Sequence, residues 1–217
     1  MKVNVTIPTK LSEITLSQYQ KYLDILKDNQ DTNFMLQKTV QIFCNVKLSD
    51  VANMRYKDVI DIVEKIETAF KEQTNLIPTF THNGTKFGFI PKLEDMTFDE
   101  YSNLDSYLSD WKDMHRAMAI LYRPILKEFK NTYEIASYNG TTDYAEVMKS
   151  MPLNVVLGAN VFFWNLSNDL LKASLSYLEK TVEGLIQQPN LVGDGVGTPA
   201  YMQSLEEVCS TLKMLQK

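Results

Sequence analysis

The chain has very little cysteine. Cys44 and Cys209 are the only two, and 165 residues separate them. That spacing offers neither a disulfide framework nor a zinc site, so both are expected as small core residues in a reducing compartment. Arginine is almost as scarce: only Arg55, Arg116 and Arg123 stand among 22 basic residues, against 27 acidic ones, for a net charge of -5. Nucleic acid is therefore not expected as the main partner, because counterion release needs clustered positive charge. No apolar run approaches the roughly 18–20 residues of a membrane span. The first eight residues, Met1 to Pro8, contain no apolar core of a secretory signal. The four Asn-x-Ser/Thr sequons, at Asn4, Asn83, Asn139 and Asn165, are accordingly expected to stay unmodified. Hydrophobic residues at 44% and charged ones at 23% are ordinary for a folded chain.

Chemical signatures are missing too. There is no G-x-S-x-G elbow, no H-E-x-x-H and no G-x-x-x-x-G-K-[ST] loop. Gly193-Asp194-Gly195-Val196-Gly197 lacks dinucleotide spacing and follows a helical pattern. Of the two histidines, His82 flanks a turn as a strand-end residue, and His115 lies on an apolar stripe as a packing residue. Asp95, Asp99 and Glu100 crowd a helix start, where negative charge is stabilising without any catalytic role. The ten methionines fit core filling or an adaptable helix-binding groove. No catalytic residue, metal or cofactor is expected.

What the sequence does contain is periodicity. Val3, Val5 and Ile7 alternate with polar residues up to Pro8, predicting a strand over 2–7. Residues 79–90 carry Asn83-Gly84 between β-prone arms, the signature of a two-residue type I′ hairpin with strands over 79–82 and 85–90. Helical spacing predicts helices over 15–28, 32–44, 48–53 (with Ser49 as a cap), 56–73, 97–107, 110–122, 125–135, 143–149 (capped by Thr142), 152–187 and 202–215. Gly158 or the Asn165–Asn168 stretch is a place where the long helix can break. Residues 188–200 read as a glycine- and proline-rich linker. The expected fold is α+β and mainly α: a small three-stranded antiparallel sheet with a bundle of about seven or eight helices. It is read as one domain over 1–217, with a subdivision near residue 136 into a mixed part, 1–136, and a helical part, 137–217. The 152–187 helix is its expected organising element.

Two segments echo each other at an offset of 82. Lys10, Leu11, Thr15 and Tyr19 recur as Lys92, Leu93, Thr97 and Tyr101. Each echo predicts a capping box, Thr15 with Gln18 and Thr97 with Glu100, and a staple, Ile14 with Tyr19 and Met96 with Tyr101. A recurrent way of starting a helix and a degenerate duplication both explain the echo.

The second copy opens the most distinctive stretch, Phe87 to Ile125. It reads F-G-F-I-P-K-L-E-D-M-T-F-D-E-Y and then W-K-D-M-H-R-A-M-A-I-L-Y-R-P-I. Its strand–proline–threonine–aromatic–glutamate–tyrosine run, followed by M-H-x-x-M-A-x-L-Y-R-P, resembles a family of small proteins encoded among the tail and baseplate genes of tailed bacteriophages. Members are described as tail assembly chaperones, baseplate hub proteins or structural proteins. The resemblance implies a non-enzymatic tail or baseplate assembly protein that binds a tail component in a chaperone-like way. The alternative is a stoichiometric structural protein of the tail, hub or neck. The implied partners are other tail or baseplate proteins, with a homo-oligomer allowed and no membrane. The implied location is the host cytoplasm during assembly, with the virion as the alternative. Trp111, His115, Met118, Tyr122 and Arg123 are the residues nominated for partner contact. Arg123 has two readings: a fork that clamps a partner's carboxylate, or an ion pair that holds the 97–107 helix.

Overall fold

The computed structural model describes residues 5–28, 31–130, 132–140 and 142–186. The predicted helix over 202–215 and the linker over 188–200 lie outside them. The chain divides into two compact units, Met1–Val161 and Phe162–Lys217.

The first unit is mainly helical with one sheet. Its helices are α1 (Leu16–Asp28), α2 (Thr32–Phe43), α3 (Leu48–Ala52), α4 (Tyr56–Phe70), α5 (Phe98–Leu108), α6 (Met114–Leu121) and α7 (Thr142–Met148); α8 (Leu153–Ile186) begins here and continues into the second unit. Helix α4 shows why they form. Val59, Ile62, Val63, Ile66 and Ala69 recur at helical spacing, and all are buried. Asp31 starts α2 by accepting hydrogen bonds from the backbone of Asn33 and Phe34. Ser49 does not cap α3; Lys47 precedes the helix and caps it with no side chain.

Among the described residues the sheet has four antiparallel strands in the order β1 (Thr79–His82), β2 (Thr85–Phe89), β3 (Tyr122–Glu128) and β4 (Tyr133–Ile135). This corrects the three-stranded expectation. The β1–β2 hairpin stands as read, with Asn83 and Gly84 both at positive φ, as a type I′ turn requires. Among the described residues the third partner of the hairpin is β3, which pairs with β2. Residues 5–9 form no strand, and residues 2–4 lie outside the described ones.

Strands β3 and β4 instead occupy the place predicted for a helix over 125–135. Pro124 supplies the reason. It ends α6 and has no N–H to donate. Its carbonyl accepts from Ala136 (2.8 Å), just beyond the end of β4. A strand residue points N–H and carbonyl towards the same antiparallel neighbour, so the missing donor falls where the β4 ladder stops. A bulge between Ile125 and Lys127 marks the same place. Tyr133 then reaches back across β3: its ring covers Gly88, and its hydroxyl donates to the Phe89 carbonyl (2.8 Å).

The sequence echo is an echo of structure. Leu11–Glu13 and Leu93–Asp95 both form a single 3-10 turn. In both, the capping box follows. Thr15 N–H donates to Gln18 (2.9 Å) and Gln18 N–H to Thr15 Oγ1 (3.3 Å); Thr97 and Glu100 make the same exchange at 2.6 and 3.2 Å. The first copy is buried at Leu11, Ile14 and Leu16 and is tied to a distant segment. Thr15 bridges Pro152, Leu16 N–H donates to Met151 (3.0 Å), and Leu153 N–H donates to Ile14 (2.8 Å).

Helix α8 is continuous through Gly158 and Asn165–Asn168, with no break at either place. Its 34 residues correspond to roughly 50 Å of rise. Val155, Val156 and Ala159 are buried in the first unit. In the second unit, Trp164, Leu170, Leu171, Tyr177 and Leu178 are exposed. Among the described residues no helix is long and apolar enough to cross a membrane.

Candidate functional site

Four of the five nominated residues are buried, and all five serve the joint between α1, α5, α6 and the sheet. Trp111 sits half-buried in the turn before α6, not in the helix predicted over 110–122. Asp110 makes that turn by accepting from Lys112 N–H (3.0 Å), which holds the chain out of helix until Met114. The Trp111 ring meets Tyr19 of α1 edge-on at 4.9 Å, and its carbonyl accepts from Gln20 Nε2 (2.7 Å).

The same Gln20 amide lies 3.3 Å from His115 Nδ1. Burial is the main force holding the His115 pKa below its ordinary 6.5. Lys149 and Arg116 push it the same way, and Glu146 and Asp113 oppose them. The unfolded chain therefore takes up a proton near pH 6.5 that the folded imidazole resists. This contribution to stability is complete above pH 6.5 and is lost as the pH falls from there towards the folded value. Urea unfolding should show lower stability at pH 5.5 than at 7.5, and His115→Gln should reduce the difference. An unchanged pH dependence in that variant would refute the assignment.

Met118 is fully buried in the middle of α6. Tyr122 is fully buried at the start of β3, donates its hydroxyl to the Ile77 carbonyl (2.9 Å) and meets Phe80 and Phe89 edge-on. Burial pushes its pKa far up. Arg123 takes the second of its two readings. Its Nη2 lies 2.8 Å from Glu100 Oε1, and both side chains are buried. Glu100 thus works on two sides: Oε2 accepts from Thr97 N–H to cap α5, and Oε1 holds β3. Arg123 Nε has no partner among the described residues. The guanidinium also borders a cavity of about 260 Å³ with Tyr138, Asn139 and Tyr144.

The residues left facing solvent on this joint are different ones. Phe98 is 84% and Tyr101 62% exposed, one turn apart on α5. The buried positions of this helix are Glu100 and Leu104. A glutamate in register with Leu104 was the available signal, because a carboxylate on the inner face requires a cationic partner.

His82 Nε2 lies 2.8 Å from Ser150 Oγ, so it is not merely a strand-end residue. The Ser150 hydroxyl donates to the Val147 carbonyl (2.9 Å), so the imidazole acts as donor and leaves the serine unactivated. Burial pushes the Cys44 thiol up to about 11. Among the described residues no cluster of three histidine, cysteine, aspartate or glutamate side chains is placed to hold a metal ion.

No family model matches the chain, and no curated protein or solved structure matches it.

Proposed function

We propose that this chain is a non-enzymatic assembly protein of a phage tail or baseplate, binding another tail component through the exposed α5 aromatics. The observation that carries the reading is the division of labour within the segment that resembles the phage family. Its charged residues Glu100 and Arg123 face inward and hold α5 to the sheet, whereas its aromatics Phe98 and Tyr101 face outward. Adjacent exposed aromatics on a rigidly anchored helix are costly in water and favourable in an interface, where aromatic anchors dominate binding energy.

The double variant Phe98→Ala/Tyr101→Ala should unfold within about 1 kcal/mol of the parent, since neither ring is part of the core. Binding to the tail component should weaken by at least about 100-fold, from two hot-spot truncations of about 2 kcal/mol each. The partner is identified by cross-linking in cells infected with the parent phage, and affinity is then measured by calorimetry. Unchanged affinity would refute the aromatic site. Mass spectrometry of purified particles beside the lysate separates two modes of action. Abundance in the lysate with absence from particles marks a chaperone; a fixed copy number per particle marks a structural component.

A further inference from the structure

Helix α8 carries a seven-residue repeat in the second unit. Starting at Trp164, the intervals alternate between four and three: Trp164, Asn168, Leu171, Leu175, Leu178, continuing in the sequence at Val182 and Leu185. In heptad notation Trp164, Leu171, Leu178 and Leu185 occupy d, and Asn168, Leu175 and Val182 occupy a. A helix that packs on a globular core follows a period of 3.6 with a broad apolar face. A strict 3.5 repeat sustained over three heptads is the seam of a coiled coil. On this seam Trp164 is 69%, Leu171 57% and Leu178 48% exposed, while Asn168 and Leu175 are half-buried; Leu170 and Tyr177, also exposed, lie off it.

We propose that a second copy of this chain covers the seam, with the two α8 helices parallel and in register as a two-stranded coiled coil. Asn168 selects the occupant. In a parallel in-register pair it faces its own counterpart, and two carboxamides, each with a donor and an acceptor, bond to one another. In an antiparallel pair it faces apolar d residues and leaves its polar groups unmatched. A single asparagine at an a position, with leucine throughout the d positions that follow, selects two strands and one register. Charge agrees. The g positions 167, 174 and 181 are Ser, Ser and Thr, so Ser167 meets Lys172 of the second copy and no like charges are brought together. Area agrees as well. Trp164, Leu171, Leu175 and Leu178 offer on the order of 400 Å² per copy. That is about half of the roughly 800 Å² a stable partner contributes, and the exposed flanking residues Asn165, Ser167, Lys172 and Ser174 extend it. The Phe98–Tyr101 pair belongs to the first unit and the seam to the second.

The test uses the full chain. Sedimentation equilibrium should give about twice the 24.9 kDa chain mass at micromolar concentration. Leu171→Ala/Leu178→Ala should weaken association by at least 10-fold while the thermal transition of the first unit is retained. Leu171→Cys, oxidised mildly, should give a cross-link that peptide mass spectrometry assigns to position 171 on both chains. Asn168→Val should keep the chains associated but let species larger than the dimer appear. A monomer at every concentration, as residues 201–215 covering the seam in cis would give, overturns the proposal. So does a trimer of the parent chain, or a cross-link from position 171 only to other positions.

Discussion

Arg123→Met is expected to lower the unfolding free energy by about 3–5 kcal/mol, the range for breaking one side of a buried ion pair. Glu100 would remain buried with one oxygen capped by Thr97 and the other facing no cation. For a chain of this size the loss corresponds to a fall of about 10 °C in Tm. Glu100→Gln is expected to cost a similar amount. The amide oxygen can keep the capping bond, but Arg123, whose Nε already has no partner among the described residues, loses its counter-charge. The double variant should be more stable than the sum of the two single losses implies, by roughly 1–3 kcal/mol, because it leaves no unpaired charge behind. Urea unfolding of the four proteins closes the cycle. Strict additivity would show that the pair is not coupled and that α5 is held to the sheet by packing alone.

Gly158→Ala should also be severe, against the usual direction. Alanine in place of glycine inside a helix ordinarily gains up to about 1 kcal/mol. At Gly158 a Cβ would lie 2.2 Å from the Asn75 carbonyl oxygen and 2.9 Å from its carbon. Both are backbone atoms, so no side chain can swing aside; either α8 or the 74–77 segment has to move. Overpacking against backbone that no side chain can relieve costs about 3 kcal/mol, of which the gain in helix propensity offsets only about 1. Net destabilisation by about 2 kcal/mol, read from thermal and urea unfolding, is the expected outcome. A neutral or stabilising result would mean that the helix does not approach Asn75 this closely.

The close approach at Gly158 shows where sequence reasoning stops. In the sequence, Gly158 marks only a place where the helix can break; the reason for it is the 74–77 backbone, about eighty residues earlier in the chain. Local chemistry was readable wherever it is self-contained. Asn83-Gly84 sets its own turn, Thr97 and Glu100 cap their own helix, and α1, α2 and α4 follow their own apolar spacing. The error at β3 and β4 has the opposite origin. Ile125, Leu126 and Phe129 satisfy helical spacing in isolation, but β2, more than thirty residues earlier, offers an open edge that pairs Phe87 with Pro124 and Phe89 with Tyr122. A partner supplied by tertiary structure overrides propensity of that strength. The candidate site divides the same way. That Arg123 holds the 97–107 helix could be read from the sequence; that Glu100 is its partner, and that Phe98 and Tyr101 face out, required the fold.

The antiparallel bridge between Thr15 and Pro152 has a bearing on the order in which the molecule is made. The capping box at Thr15 and Gln18 closes within four residues and can form as soon as they exist. The bridge closes a loop of well over a hundred residues, for which chain entropy alone costs about 4 kcal/mol. Nothing offsets that cost until the stretch containing Met151 and Leu153 has been synthesised. A nascent chain therefore carries a correctly started α1 whose Leu11, Ile14 and Leu16 still lack the distant backbone that fixes them. Their final seating comes late in translation, and until then those three side chains lack the cover that the folded protein gives them.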